Sequence, residues 1–180
     1  MAAAILVAMK PLAPRKLPRM KRPSMLAAAL LLWSVAYAAD PPPLQEGLWE
    51  VRGRAVDSPS GRVTTFAYRL CRNHAFDAAM DAQIKNAQGC RTSFDDLGGG
   101  KFEAASSCNI GGRVIESKGT YTYESTTSTR SESHATYTPP FNGKSEETLV
   151  QEQRYLGDCP AGVNPGDRIM GDGKVQRYGQ

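Results

Sequence analysis

The stretch from Cys90 to Cys108 constrains this chain more than any other. It reads Cys90-Arg-Thr-Ser-Phe-Asp-Asp-Leu-Gly-Gly-Gly-Lys-Phe-Glu-Ala-Ala-Ser-Ser-Cys108. Gly98, Gly99 and Gly100 sit at its middle and supply the positive φ that a tight turn needs. Folding the segment about Gly99 sets Cys90 opposite Cys108, Thr92 opposite Ser106, Phe94 opposite Ala104 and Asp96 opposite Phe102. All fall on one face, because side chains along a strand alternate with period two. Cross-strand Cβ atoms lie about 4.5–5.5 Å apart, close to disulfide reach. The stretch predicts a β-hairpin stapled by its own ends. That is a statement about structure and carries no activity.

The N-terminal segment has a different character. Residues 1–38 hold six basic side chains (Lys10, Arg15, Lys16, Arg19, Lys21, Arg22) and no acidic one. The uncharged run Met25-Leu-Ala-Ala-Ala-Leu-Leu-Leu-Trp-Ser-Val-Ala36 follows. It is short of the roughly 20 apolar residues of a membrane span. It ends in Ala36-Tyr37-Ala38, a small-x-small cleavage site. Together these features predict a secretory signal peptide over 1–38, cleaved between Ala38 and Ala39. Residues 1–19 read either as an artefact of start-codon choice or as a disordered extension. The expected location is the periplasm or the medium, with no membrane anchor once the signal is removed. Without residues 1–38 the charge falls to 16 basic against 18 acidic groups, a formal net of −2. The basic character belongs to the signal, so no nucleic-acid partner is expected.

All four cysteines, Cys71, Cys90, Cys108 and Cys159, follow the signal. An even number in an exported chain implies disulfides. There is no Cys-x-x-Cys and no histidine cluster, so no metal and no other cofactor is expected. If Cys90 pairs with Cys108, then Cys71 pairs with Cys159.

The pattern elsewhere is mainly β. In Gly47–Val56, Trp49, Val51, Gly53 and Ala55 share one face and Glu50, Arg52 and Arg54 the other, which predicts a half-buried strand. Gly53 reads as a bend or bulge. Val63–Cys71 returns with Thr64, Phe66, Tyr68 and Leu70 on one face. A helix is predicted at 74–88, capped by Asn73 and ended by Gly89, with Phe76, Met80 and Ile84 as the stripe that packs on a sheet. Val114–Tyr123 carries Ile115, Ser117, Gly119, Tyr121 and Tyr123 on one face. A Ser/Thr-rich strand over 126–137, a break at Pro139–Gly143 and a last strand over 144–156 follow. Residues 160–180 hold five glycines, two prolines and no apolar run, and read as a flexible tail. The expected fold is mainly β (α+β): an antiparallel meander of about seven strands, strongly curved or a partial barrel, with one helix. The domain is 39–159.

Several short motifs agree with this. An export signal, Gly47-Leu-Trp-Glu50, a cysteine leading into a helix at Cys71-Arg-Asn73, a bracketed hairpin and Leu156-Gly-Asp-Cys159 occur in that order. In these the chain resembles the bacterial domain-of-unknown-function family numbered 3617, small exported proteins of Gram-negative cells. The resemblance covers residues 45–159. It departs at Arg72-Asn73-His74, where the family has Leu-Thr-Pro, and in the longer tail. It implies location and fold type, and brings no catalytic residue with it. Gly47-Leu48-Trp49 also resembles the Gly-x-Trp that opens the first strand of lipocalins, although a tryptophan there reads as core in any small β-domain.

No catalytic constellation assembles. His74 sits at a helix N-terminus and His134 in a polar strand, neither near a named nucleophile. Gly98–Gly100 could cradle an anion but is placed as a turn. Asp95 and Asp96 point to opposite faces and cannot converge on calcium. The function expected is a non-enzymatic binding or accessory protein for a small apolar ligand or an envelope protein. An envelope structural or stress protein without a ligand is the alternative, and an enzyme comes third. An apolar cavity of about 300 Å³ under Trp49, Phe66 and Phe76 favours the first. A filled core favours the second, and a cleft joining His134 to carboxylates favours the third.

Overall fold

The structure is a computed structural model and describes residues 41–179. The expected signal peptide and its cleavage site lie outside the described residues. Nine strands and one helix follow in order: β1 (Gly47–Ser58), β2 (Val63–Arg72), α1 (His74–Lys85), β3 (Cys90–Gly98), β4 (Lys101–Ile110), β5 (Arg113–Ser125), β6 (Ser128–Phe141), β7 (Lys144–Gly157), β8 (Arg168–Met170) and β9 (Val175–Gln176). They form one antiparallel sheet in the order β3-β4-β5-β6-β7-β1-β2-β8-β9, open at both ends. The meander runs unbroken from β3 to β7. β1 then pairs with β7 along eleven residue positions and carries β2 with it.

The hairpin has the expected register. Cys90 faces Cys108, Thr92 faces Ser106, Phe94 faces Ala104 and Asp96 faces Phe102. The turn glycines have φ of +79°, +62° and +74°. Both disulfides form as expected, Cys90–Cys108 with Cα atoms 3.9 Å apart and Cys71–Cys159 at 5.6 Å.

Three expectations are corrected. The strand count is nine, not about seven. The two extra strands lie in the segment read as a flexible tail, where β8 pairs with β2 and β9 with β8. This segment is held by polar contacts in place of an apolar run. Asp167 is buried and accepts from the Asn164 and Tyr178 amides at 2.9 and 3.1 Å and from Arg177 Nη1 at 2.6 Å. Its own carbonyl takes the Cys71 amide, and the Gly166 amide donates to the Cys71 carbonyl. The helix ends at Lys85 and not at 88: the Asn86 side chain bonds back to the Ala82 carbonyl, and the Ala87 amide turns to the Ile84 carbonyl only three residues back. Gly53 makes no bulge: the ladders to β2 and β7 pass through it in register. Its missing side chain leaves room for the Phe66 ring instead.

The ladders place one set of residues on a common inner face. Across the sheet, Gly53, Gln151, Ser131, Tyr121 and Phe102 form one row, and Ala55, Leu149, Ser133, Gly119 and Ala104 the next. Outer-face neighbours are mostly charged: Arg52 beside Glu152, Arg130 paired with Glu152, and Lys118 paired with Glu103 at 2.9 Å.

α1 joins β2 to β3, which stand six places apart in the sheet. It crosses one side of the sheet to do so. That side is the inner face: Arg72, which precedes α1, bonds Gln153 on β7, and Lys85 at the far end lies over Phe94, 5.8 Å from the ring centroid.

Candidate functional site

The inner face begins at a packed end. Trp49 is fully buried, donates from Nε1 to the Gln45 carbonyl at 2.8 Å, and meets Tyr155 edge-on at 6.0 Å. Arg72 lies over its ring at 5.2 Å. The same guanidinium holds Asp77 through Nε and Nη2 at 3.0 and 2.8 Å, and donates to Gln153 Oε1 at 3.0 Å. Asp77 reaches this position because Asn73 caps α1, its Oδ1 accepting the Phe76 amide at 2.8 Å. Here the guanidinium is balanced by a first-turn carboxylate on one side and the face of a tryptophan ring on the other.

The far end is closed by a second charge cluster. Asp57 is buried and accepts from Arg62 at 3.0 and 2.6 Å. Lys144 Nζ stands 3.7 Å from the other Asp57 oxygen, bonds Glu147, and lies 5.1 Å from the Tyr137 ring centroid. The Arg62 hydrogen bond, reinforced by Lys144, holds the Asp57 carboxyl below the usual carboxylate range. The bond to Glu147 holds Lys144 above the usual ammonium value.

Between the ends the face is neutral and open. Its middle row, Ala55, Leu149, Ser133, Gly119 and Ala104, is half-buried throughout. Small residues are required here: a Cβ at Gly119 would stand 2.7 Å from the Ser133 Cβ. Tyr121 and Phe94 flank this row with 43% and 44% of their surface exposed. Burial pushes the half-buried Tyr123 phenol up, so it remains a neutral donor at physiological pH. Ser106 and Ser117 bond each other at 2.8 Å one row further on. The helix crosses this surface without burying a residue of its own.

The three residues expected to line a ligand are not brought together. Trp49 is sealed at the packed end. Phe66 covers Gly53 and stacks with Tyr68 at 6.1 Å. Phe76 meets Tyr178 edge-on at 5.2 Å, and the Tyr178 hydroxyl lies 3.3 Å from the Met80 sulfur. The helical stripe thus packs against the C-terminal segment and not the sheet, while Ile84 is left exposed. An open depression of about 410 Å³ lies elsewhere, among Arg91, Thr92, Ser93, Ala105, Ser106, Ser107, Glu116 and Ser117. It is polar.

The histidines do not converge. His74 Nε2 lies 3.0 Å from the Leu44 carbonyl and Nδ1 3.4 Å from Glu46. His134 stands on the charged outer face, 3.8 Å from Glu146 and 3.4 Å from Thr148 Oγ1, with half its side chain exposed. Among the described residues no three His, Cys, Asp or Glu side chains gather as metal ligands. What the sequence reading missed was Arg72 as the hub of the packed end. A basic residue one position past Cys71, facing Asp77 five residues on, is the signal that was there.

An open antiparallel sheet, stapled twice and crossed by one helix on its neutral face, defines a small disulfide-bonded β-domain. Residues 44–159 match the family described as Protein of unknown function (DUF3617), and the chain belongs to that family. The matched stretch contains β1 to β7 and α1 and stops before β8. No curated protein matches the chain.

Proposed function

We propose that this chain is a non-enzymatic exported protein that binds an elongated apolar molecule along its inner face. One observation carries the reading: apart from Leu149, the middle row of that face is built from small, half-buried residues flanked by exposed Tyr121 and Phe94, where a filled core would have large buried side chains. The neutral floor between two self-neutralised ends suits an uncharged ligand body, with tyrosine and serine hydroxyls to hold a polar group. Export rests on the signal-peptide pattern of residues 1–38 and on the disulfides, which suit an oxidising compartment.

A second reading has its own support. Trp49 sits in a packed, fully satisfied environment, as in an envelope structural protein that takes no ligand. One experiment separates the two. Protein recovered from the periplasm should have the intact mass of a chain cleaved between Ala38 and Ala39. Titrating it with the fluorescent apolar probe N-phenylnaphthylamine should give saturable binding. Ala104→Trp, which fills the middle row, should weaken that binding about tenfold while the protein remains folded. Absence of saturable binding, or binding that ignores Ala104→Trp, would leave the structural reading in its place.

A further inference from the structure

The two edges of the sheet are built differently. β9 is two residues long and closes its edge. β3 is nine residues long, contains no proline and carries exposed side chains along most of its length. A long open edge of that kind is a template for another strand.

The backbone pattern shows which groups are free. The Asn109 amide donates to the Gly89 carbonyl at 2.7 Å, so Gly89 and Asn109 form a hydrogen-bonded pair. Pairs alternate along an antiparallel ladder. Arg91, Ser93 and Asp95 therefore turn their amides and carbonyls toward β4. Thr92, Phe94 and Asp96 turn theirs to the open side. The Cys90 amide also points outward and is taken by the Ala87 carbonyl.

The side chains of β3 are complementary to themselves. Turned about a two-fold axis at Ser93, the strand meets its own copy with Thr92 opposite Phe94 and Cys90 opposite Asp96. Thr92, Phe94 and Asp96 have free backbone groups while the Cys90 amide is already bonded to Ala87, so each Thr92–Phe94 pair can exchange two ladder bonds. Arg91 then falls opposite Asp95 twice, in the pair type whose side chains approach most closely. Within the chain, neither Arg91 nor Asp95 has an ion-pair partner within 4 Å among the described residues. On the other face, the exposed Phe94 ring would gain a Thr92 neighbour.

We propose that a second copy of this chain adds antiparallel to the β3 edge, centred on Ser93, to make a two-fold dimer with one continuous sheet. The free backbone groups and the open edge permit this register, and the Arg91 and Asp95 charges select it. The inner faces of the two copies then run into one another across the seam.

Sedimentation equilibrium of the purified protein tests this. The wild type should reach a dimer mass as concentration rises. Arg91→Asp sets carboxylates against carboxylates at both ends of the seam and should weaken the dimer roughly tenfold or more. Asp95→Arg should do the same with cations. The double variant Arg91→Asp/Asp95→Arg should restore it. Thr92→Pro removes an outward amide and no bond to β4, and should leave a folded monomer. Melting curves and non-reducing electrophoresis check the fold of each variant. A wild-type monomer at every concentration overturns the proposal and leaves the edge to an extended segment of another protein. So does a dimer indifferent to Thr92→Pro and the single charge changes, or one that the double variant fails to restore.

Discussion

Gly53→Ala is a one-methyl change that should destabilise this protein, against the usual benefit of removing glycine from a strand. The added Cβ would sit within 2.7 Å of three carbons of the Phe66 ring. Real side chains do not approach that closely, and the β2 backbone is pinned in register on both sides of Phe66, so the ring must swing aside. Forcing a packed side chain to move costs about 1–3 kcal/mol. Losing its stack on Tyr68 adds about 0.5–1.5 kcal/mol. The alanine returns about 0.5–1 kcal/mol of unfolded-chain entropy. The expected net loss is about 2 kcal/mol, near the middle of a range of about 0.5–4, or about 4–8 °C in melting temperature for a domain of this size. Urea unfolding followed through the buried Trp49 measures it. In a Phe66→Ala background the collision is gone, and Gly53→Ala should become neutral or slightly stabilising. The double-mutant cycle should therefore show a coupling of about 2 kcal/mol. A Gly53→Ala protein as stable as wild type with Phe66 present would refute the claim that the ring occupies the space of the missing Cβ.

Two further perturbations probe the ends of the fold. The bridges close loops with sequence separations of 88 and 18, worth about 4–5 and 3 kcal/mol by chain entropy. Cys159→Ser should therefore lower the melting temperature more than Cys90→Ser, and equal losses would remove the loop-length reasoning. Asp167 is held below the usual carboxylate range, first by the Asn164 amide and then by Arg177 and Tyr178. A lowered folded value means that its stabilisation is complete above the unfolded value of about 4 and is lost as pH falls through the folded one. Asp167→Asn should speed trypsin cleavage after Arg168, Lys174 and Arg177 at pH 7, and its deficit in melting temperature should vanish in strong acid. A deficit that persists there would show that the charge is not what holds the segment.

The hairpin was legible because two local rules agree on it. Glycines mark the turn, and period two puts the cysteines on the same face at equal distances from it. The β1 to β7 strands were legible for the same reason, since alternation needs only neighbours in sequence. What escaped was set by distant partners. Gly53 looks like a bulge from its own strand, and only the register with β2 shows that Phe66 covers it. β8 and β9 have no apolar period to announce them, because a buried carboxylate and backbone bonds to Cys71 hold them. A clue existed all the same. A bridge from Cys71 to Cys159 delivers residue 160 onward to the end of β2, where the edge awaited a partner. The inner face was half read: its Ser, Thr and Gly content was visible, but alternation alone could not say that Trp49, Phe66 and Phe76 would each be occupied separately.

The order β3-β4-β5-β6-β7-β1-β2 also sets a schedule for assembly. Each strand from β4 to β7 can pair with the one made just before it, across a short turn, as the chain emerges. β1 emerges earlier but cannot take its place until β7 exists, about a hundred residues later. Joining such distant partners carries the largest loop-closure cost in the sheet. Among β1 to β7 this seam is thus the last to close, and until then Trp49 and Val51 have no Tyr155 or Gln153 beside them. Before β7 emerges the chain is a four-strand meander with a loose hairpin ahead of it, and only β7 joins the two.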